Sequence, residues 1–414
     1  MKVSLVSYSF KKGGAALAAA KFKTLLGNNV DTFCQLDAGR IQFLKRLVSF
    51  ALTKFQFDGN PVKHSLNLFS YQPIFKFIQS SKESVIHFHW FNNDTLSIFN
   101  LHKIPSGVII TLHDEWLYCG AEHYYNIQEQ HLDFIDGYVF FRKGVWGLHW
   151  NYILWKIKHY KLSHRDDLIY TVPSKWMLAR AKKSLILKQA DVRLLPNPID
   201  VSLFQPSHLA DVIRFRKSHH LKRDDIVFCF GAIGGKKNLL KGSNLLNEAI
   251  ARLSLKLEKN IIERIKFVNF GGPKLGESNN FGFTTISLGH IAEPAKLANL
   301  YSSVDCLVVP SLVESFGQVA AEALSCETPV ICFECSGLKD IVENEKTGLT
   351  VEPFSSRQLA EKMKKFILMS EERRKELGAN GRRHVIRQFS YPVIREQYLK
   401  IIADAYELKK KHKK

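Results

Sequence analysis

The sequence predicts an α/β protein built from two doubly wound, largely parallel sheets. Short apolar runs recur along the chain, each followed by a helical pattern. A turn-rich segment, Leu195-Pro196-Asn197-Pro198-Ile199-Asp200, divides these runs into two sets. Several runs end in glycine-rich or charged turns of the kind that lead into a helix N-terminus. The chain has 414 residues, of which 45% are hydrophobic, enough for two ordinary cores.

The first set begins with a strand over Lys2 to Ser7, the turn Phe10-Lys11-Lys12-Gly13-Gly14 and an Ala-rich helix over Ala15 to Leu26. Buried strands follow at Val85–His89, Val108–Leu112 and Leu168–Thr171, with helical patterns between them. The second set has strands at Ile226–Phe230, Ile265–Phe270, Thr285–Leu288, Cys306–Val309 and Val330–Phe333, and a helix over Ser243–Leu255. Tyr391 to Glu407 reads as one helix, followed by the basic stretch Lys409–Lys414.

Charge narrows the partners. The formal net charge is +20. Residues 1–200 hold 25 Lys+Arg against 15 Asp+Glu, so the excess is spread over the chain. Such a field favours phosphates, acidic polymers, nucleic acid or an anionic membrane face. No apolar run approaches the ~20 residues of a spanning helix. Met1-Lys2 leads directly into Val3-Ser4-Leu5-Val6, too short for a secretory h-region. A cytoplasmic location is expected, with peripheral docking on the inner face of the plasma membrane as the extension. The seven cysteines read as reduced core residues. Cys332-Phe333-Glu334-Cys335 lacks a second Cys/His pair at ligand spacing and reads as strand end plus loop.

The segment richest in chemistry is Pro310 to Pro353. Leu307-Val308-Val309 enters as a strand, Pro310-Ser311-Leu312-Val313-Glu314-Ser315-Phe316-Gly317 turns, and Val319 to Leu324 leaves as a helix. That arrangement aims free backbone N–H groups at a phosphate. Glu314 and Glu322, separated by seven residues, would repel the phosphate and so suit hydroxyls nearby. Phosphate plus hydroxyls describes a sugar nucleotide.

Other segments fit around it. Phe230-Gly231-Ala232-Ile233-Gly234-Gly235-Lys236-Lys237, then Lys241-Gly242-Ser243, follow the first strand of the second set. They read as a lysine-bearing site for a leaving diphosphate, or as a solvated basic loop. Gly271-Gly272-Pro273 and Ser287-Leu288-Gly289-His290-Ile291 end strands on the side where α/β sheets bind ligands. The Gly13-Gly14 loop admits a phosphate or sugar, or is a tight turn without a ligand. It lacks G-x-G-x-x-G spacing. His87, His89 and Trp90 end one strand, and His113-Asp114-Glu115-Trp116 follow another. They read equally as a polar site or as satisfied structural residues. No zinc spacing and no convincing D-x-D accompany them, so metal-free chemistry is expected.

Two segments mix aromatic and basic residues. Arg40 to Phe57 interleaves Phe43, Leu44, Leu47, Val48, Phe50, Leu52 and Phe55 with Lys45, Arg46 and Lys54. Tyr138 to Lys161 carries Trp146, Trp150 and Trp155 among Arg142, Lys143, Lys156, Lys158 and Lys161. Both suit an anionic bilayer surface, and both suit amphipathic helices packed on a core.

The second half resembles the nucleotide-sugar-binding domain of family 4 glycosyltransferases, which are retaining enzymes of the GT-B fold. The residues that carry the likeness are Pro310-Ser311 with Glu314-Ser315-Phe316-Gly317 and Glu322, Thr328-Pro329-Val330, Gly337 with Asp340-Ile341-Val342, and Thr347-Gly348-Leu349. Pro196-Asn197-Pro198-Ile199-Asp200 with Phe204 resembles the interdomain segment, and Ser174-Lys175-Trp176 the strand and loop before it. His87-Phe88-His89-Trp90 and Thr111-Leu112-His113-Asp114-Glu115-Trp116 resemble a bacterial branch that builds exopolysaccharide and lipopolysaccharide.

The resemblance implies two Rossmann-like domains facing across a cleft. Residues 1–196 would bind the acceptor, with a C-terminal helix over 391–414 packing back on them, and 197–390 would bind the nucleotide sugar. It implies transfer of a sugar from a nucleotide-diphosphate donor to a glycan or lipid-linked acceptor, with no cofactor, no metal and no nucleic acid. Catalytic roles would fall to His113, Glu314 and Lys241, with Glu314 on the donor sugar and Glu322 on the ribose. Donor contacts would come from Gly13, Gly14, Lys236, Lys237, Gly272, His290, Ile291, Ser315, Phe316 and Gly317. The acceptor side would hold His89, Asp114, Glu115 and Trp116. The family pairs an arginine with the diphosphate lysine, where this chain has Ala232 and Leu240. A lysine lacks the bidentate fork. A sugar-nucleotide epimerase of the same fold, and a non-catalytic binder of anionic glycans or nucleic acid, are the alternatives.

Overall fold

The computed structural model describes residues 2–412 other than 12, 29, 36–37, 82, 126–131, 142 and 232–238. The chain divides into two compact units. One comprises residues 1–198 with 394–414, the other 199–393.

The strands of the first unit are β1 (Val3–Ser7), β2 (Val30–Cys34), β3 (Gln56–Phe57), β4 (Val85–Phe88), β5 (Val108–Thr111), β6 (Trp146–Gly147), β7 (Leu168–Val172) and β8 (Asp191–Leu194). Six of them form a sheet in the order β2-β1-β4-β5-β7-β8, and every pairing in it is parallel. β3 and β6 form a separate antiparallel pair, Phe57 opposite Trp146. One sheet face is apolar. Val6, Phe88, Ile110, Tyr170 and Val192 lie in register across it and belong to one large core. The other face mixes Leu5, Ile109 and Ile169 with His87, Thr111 and Thr171.

Polar groups on that second face need partners, because an unmade hydrogen bond in a core costs roughly 1–3 kcal/mol. They find them in each other. His87 Nε2 lies 2.6 Å from Thr111 Oγ1, which is 2.6 Å from Thr171 Oγ1. His87 Nδ1 lies 2.6 Å from the hydroxyl of Tyr398, 311 residues along the chain. Tyr398 belongs to the Tyr391–Lys411 helix, most of which covers this face. Lys409 Nζ of the same helix donates to the carbonyls of Ser81 and Ser84 at 3.0 and 2.6 Å. Gly107 permits the approach. It has φ +73°, and a Cβ there would lie 2.3 Å from the Ala405 carbonyl oxygen.

The second unit contains β9 (Ile226–Gly231), β10 (Ile265–Phe270), β11 (Gly276–Asn280), β12 (Phe283–Ser287), β13 (Cys306–Val309), β14 (Val330–Phe333) and β15 (Gly348–Val351). Their order is β11-β12-β10-β9-β13-β14-β15. All pairings are parallel except β11 with β12. Successive strand residues point to opposite faces, and here both faces are apolar. Phe228, Phe267, Cys306 and Ile331 feed one core; Val227, Val268, Leu307 and Val330 feed the other. Near-continuous apolar runs are what a parallel sheet covered on both sides requires. Cys332, buried in β14, and partly buried Cys335 are free thiols with no disulfide, so the C-x-x-C is a strand end and its loop.

Candidate functional site

In the second unit, adjacent strands β12, β10, β9 and β13 bring their C-terminal ends side by side. Each carries one of the segments singled out above. The turn after β9 holds Lys241, and it is fixed to the turn after β13. Leu312 N donates to the Leu240 carbonyl at 2.8 Å. Gly242, with φ +64°, lies against Pro310 so closely that a Cβ would stand 1.8 Å from the Pro310 oxygen. Only glycine meets both conditions.

That junction brings Lys241 and Glu314 together. Lys241 Nζ lies 2.5 Å from Glu314 Oε1, and the Ser311 hydroxyl donates to the same oxygen at 2.9 Å. The Glu314 backbone is held as well. Its N–H donates to Ser336 Oγ at 2.9 Å, and its carbonyl accepts from Gly337 N at 2.8 Å. The pair is partly open, at 27% and 15% side-chain exposure. An anion arriving at Lys241 could therefore compete for it and leave Glu314 free for hydroxyls.

The Gln318–Ser325 helix follows, with Gly317 at its N-cap in a left-handed conformation, φ +103°, and no side-chain cap. Its first N–H groups are not taken by a capping side chain, the arrangement that receives a phosphate. A Cβ on Gly317 would meet Leu338 Cδ2 at 2.8 Å. The Phe316 ring is 2% exposed and packs edge-on to Phe389, so only its backbone can serve a ligand. Ser315 is partly exposed. Glu322 is buried on this helix and accepts from Gln318 Nε2 at 2.9 Å. The turns after β10 and β12 are joined by Gly271 N donating to the Gly289 carbonyl at 2.9 Å. Beside that bond, Gly272 faces open space, His290 is exposed and Ile291 packs on the core. Lys236 and Lys237 lie outside the described residues.

In the first unit, β1, β4 and β5 are neighbours and their C-terminal ends carry the other candidates. Gly13 has φ +98° and caps the Gly14–Leu26 helix, with nothing within 4 Å of a Cβ at either Gly13 or Gly14. His89 Nδ1 and His113 Nε2 lie 3.0 Å apart, with both rings buried. Burial holds His113 down to about 4 despite Asp114, holds His87 down to about 3, and places His89 well below the ordinary range. All three are neutral at neutral pH. His89 Nε2 is buried without a hydrogen-bond partner.

Asp114 accepts from Trp90 Nε1 at 2.7 Å, from Trp116 N at 3.1 Å and from His123 Nδ1 at 2.6 Å. Burial raises its carboxyl, but His123 and these bonds outweigh that and hold it low. His123 Nε2 in turn lies 2.8 Å from Ser65 Oγ. His123 is the residue that sequence reading missed here, because its link to Asp114 depends on a fold of the 114–123 loop.

Two acceptor-side expectations are corrected. Glu115 is fully buried, ion-paired with Arg180 and bonded by Tyr118 and Tyr125 N, so it braces the core. Trp116 is 1% exposed, with Nε1 on the Ser65 carbonyl. The aromatic–basic segments also sort differently. Trp155 and Lys158 are buried in the core, and Lys158 Nζ reaches the Trp116 and Gly120 carbonyls. The Arg40–Thr53 helix is instead turned outward. Its buried residues are Gln42 and Ser49, both bonded to Asp94, while Ile41, Phe43, Leu44, Leu47, Val48 and Phe50 are exposed.

Among the described residues, no group of three or more His, Cys, Asp or Glu is placed to hold a metal ion. None of the described helices is long and apolar enough to cross a membrane.

Residues 212–384 match the family model described as "Glycosyl transferases group 1". The capsular polysaccharide biosynthesis glycosyltransferase CapM of Staphylococcus aureus is 35% identical over 112 residues, 27% of this chain and 28% of that protein. The matches span 28–51% of the length of such curated relatives. Two solved structures align over almost the whole chain. Sucrose-phosphate synthase from Thermosynechococcus elongatus has a TM-score of 0.69 at 21% identity, over 98% of this chain and 99% of that one. Anabaena Alr3699/HepE in complex with UDP has a TM-score of 0.65 at 15% identity, over 98% and 100%. HepE is also solved with UDP-glucose. The fold is thus the α/β, GT-B fold, with two Rossmann-like domains.

Proposed function

We propose that the chain is a retaining glycosyltransferase that moves a sugar from a nucleotide-diphosphate sugar to an acceptor hydroxyl. The observation that carries this is the Lys241–Glu314 pair beside the uncapped helix at Gly317: a cation, a hydroxyl-binding carboxylate and free amides at the C-terminal ends of two central strands. The match of residues 212–384 to group 1 glycosyl transferases supports it.

In the reaction the sugar C1–O bond to the diphosphate breaks, and its electron pair leaves with the diphosphate. The acceptor oxygen bonds to C1 on the same face, and the acceptor proton passes to the leaving phosphate. Lys241 and the helix amides stabilise the charge that builds on the diphosphate. Glu314 holds sugar hydroxyls, Glu322 the ribose, and Gly272, His290 and Ile291 the base. No metal or other cofactor is assigned. In the first unit, His113 keeps its catalytic assignment as a neutral imidazole, with His89 and Asp114 beside it, and Gly13 and Gly14 leave room for a ligand.

The acceptor we assign is a lipid-linked or surface glycan, met by peripheral docking on an anionic membrane face at the cytoplasmic side. The outward-turned Arg40–Thr53 helix supports this. Its exposed apolar residues alternate with Arg40, Lys45 and Arg46, the composition of an interfacial helix. Two experiments test the reading. A thermal-shift screen of UDP-, GDP-, ADP- and dTDP-sugars should raise the melting point with one donor class; no shift with any would sink it. Flotation with anionic liposomes should show salt-sensitive binding that Phe43→Ser and Leu47→Ser abolish, and unchanged flotation of that variant would remove the membrane from the reading.

A further inference from the structure

The first unit has a part-open cavity of about 330 Å³ between the Gln56–Asn60 turn, the Glu122–Tyr125 segment and residues 138–152. That volume lies at the lower end of small-molecule sites, roughly 300–1,000 Å³. None of the residues discussed above as donor or catalytic candidates lines it.

Its polar groups are set before any ligand arrives. Asp58 Oδ2 accepts from Gln56 Nε2 at 2.8 Å and Asn151 Nδ2 at 3.2 Å, and lies 3.1 Å from His64 Nε2. Asp58 Oδ1 accepts from Asn60 N at 3.0 Å. Gln56 is itself held by Asn151 N, which donates to its Oε1 at 2.9 Å. Glu122 is 1% exposed. Its Oε1 takes the Tyr138 hydroxyl and Gly120 N, but its Oε2 is buried without a hydrogen-bond partner. That oxygen is packed against Gly120, where a Cβ would stand 2.6 Å from it, so the polar groups offered to a ligand are those of the Asp58 cluster. Around these groups stand the rings of Tyr125, Tyr138, Tyr152 and His149.

Flat aromatic walls with planar carboxylate and amide groups at their edges suit one ligand class. A sugar ring offers apolar C–H faces to the rings, and hydroxyls that both donate and accept to the carboxylates and amides. A phosphate would meet Asp58 and Glu122, with Lys143 the one lysine among the described lining residues. A wholly apolar ligand would leave the Asp58 cluster without water or a replacement.

The surroundings specify what carries the sugar. Lining residues Gln56 and Val145 adjoin Phe57 and Trp146, which pair across β3 and β6 and are 63% and 74% exposed. Trp150 Nε1 donates to the Leu52 carbonyl at 2.8 Å, tying this region to the outward-turned helix. An exposed apolar surface therefore adjoins the cavity. Glu122 is also next to His123, the partner of Asp114, so the same loop serves the His113 cluster.

We propose that this cavity is a saccharide-binding pocket for a neutral sugar ring of a lipid-borne acceptor. The word acceptor rests on the glycosyltransferase reading; the saccharide assignment rests on the cavity alone. The test uses the full chain and saturation-transfer NMR with the methyl glycosides of glucose, galactose, mannose, N-acetylglucosamine and glucuronic acid. At least one neutral glycoside should bind and the glucuronide should not. Tyr152→Leu and Asn60→Ala, on a helix and a loop, should each weaken that binding about tenfold or more with the melting point retained, and either folded variant suffices. No neutral glycoside bound, or binding unaltered by the substitution, overturns the proposal. Glycoside binding without any nucleotide-sugar binding keeps the pocket and sinks the transferase reading. Nucleotide-sugar turnover without glycoside binding does the reverse.

Discussion

The seven-stranded sheet of the second unit has apolar side chains on both faces, whereas the six-stranded sheet of the first unit mixes His87, Thr111 and Thr171 into one face. In the second unit the core is apolar on both sides of the sheet, and the candidate site sits on strand-end turns above it. In the first unit polar chemistry runs through the fold itself, and each member depends on a partner's geometry. Strand-end substitutions in the second unit should therefore cost activity, and substitutions in the buried network of the first should cost stability.

The largest effect expected is on turnover. Lys241→Ala should lower the transfer rate by about 10²–10³ with little change in melting point, since the Lys241–Glu314 pair is partly solvated and such pairs contribute little to stability. Steady-state kinetics beside thermal unfolding reads both. A folded variant with wild-type turnover would remove Lys241 from the site.

Next comes the network. His87→Ala removes the partner of the Tyr398 hydroxyl, leaves Thr111 with Thr171 alone and opens a cavity, and should destabilise the first unit by roughly 2–4 kcal/mol. Urea unfolding measures this, while the thermal shift given by a nucleotide sugar should persist. Equal loss of both would mean the units are not separable in this way.

Glu322→Gln should weaken nucleotide binding by about 1.5–3 kcal/mol, the range for a hydrogen bond to a charged group. Glu314→Gln should weaken the nucleotide sugar but leave the free nucleoside diphosphate nearly unchanged. Calorimetric titration separates the two, and identical effects on both ligands would dissolve the split between carboxylates.

The last comparison is the slope with pH. His87, His89 and His113 all have folded-state values below the ordinary 6.5. Between about 4 and 6.5 the unfolded chain therefore binds more protons than the folded one. Stability should fall as pH drops through that window, with no contribution from these groups above it. Denaturant midpoints from pH 7 to 4 measure this. His113→Asn should flatten the slope, and an unchanged slope would place the protonation elsewhere.

What could be read in advance follows the same division. Glu314, Gly317 and Glu322 lie within one strand-turn-helix, so their spacing along the chain already fixes their spacing in space. Lys241 is 73 residues from Glu314, yet adjacent strands β9 and β13 make the pairing foreseeable. The pocket in the first unit was not legible, because Asp58 and Glu122 come from two loops and Asn151 from the start of a helix, Trp150–Leu162, and no local pattern encodes their approach. The Arg40–Thr53 helix shows a further limit. Its periodicity announced an amphipathic helix, but not that Gln42 and Ser49 would turn inward to Asp94 and leave the apolar stripe outside.

The Tyr391–Lys411 helix has a consequence for how the molecule is made. Residues 199–393 are contiguous, so the second unit can fold as one piece once they have been synthesised. The first unit has its amino-terminal strands early but waits for Tyr398 and Lys409 to satisfy His87, Ser81 and Ser84. Domains generally fold in order as they leave the ribosome; here the amino-terminal unit should be the later of the two to reach its native core.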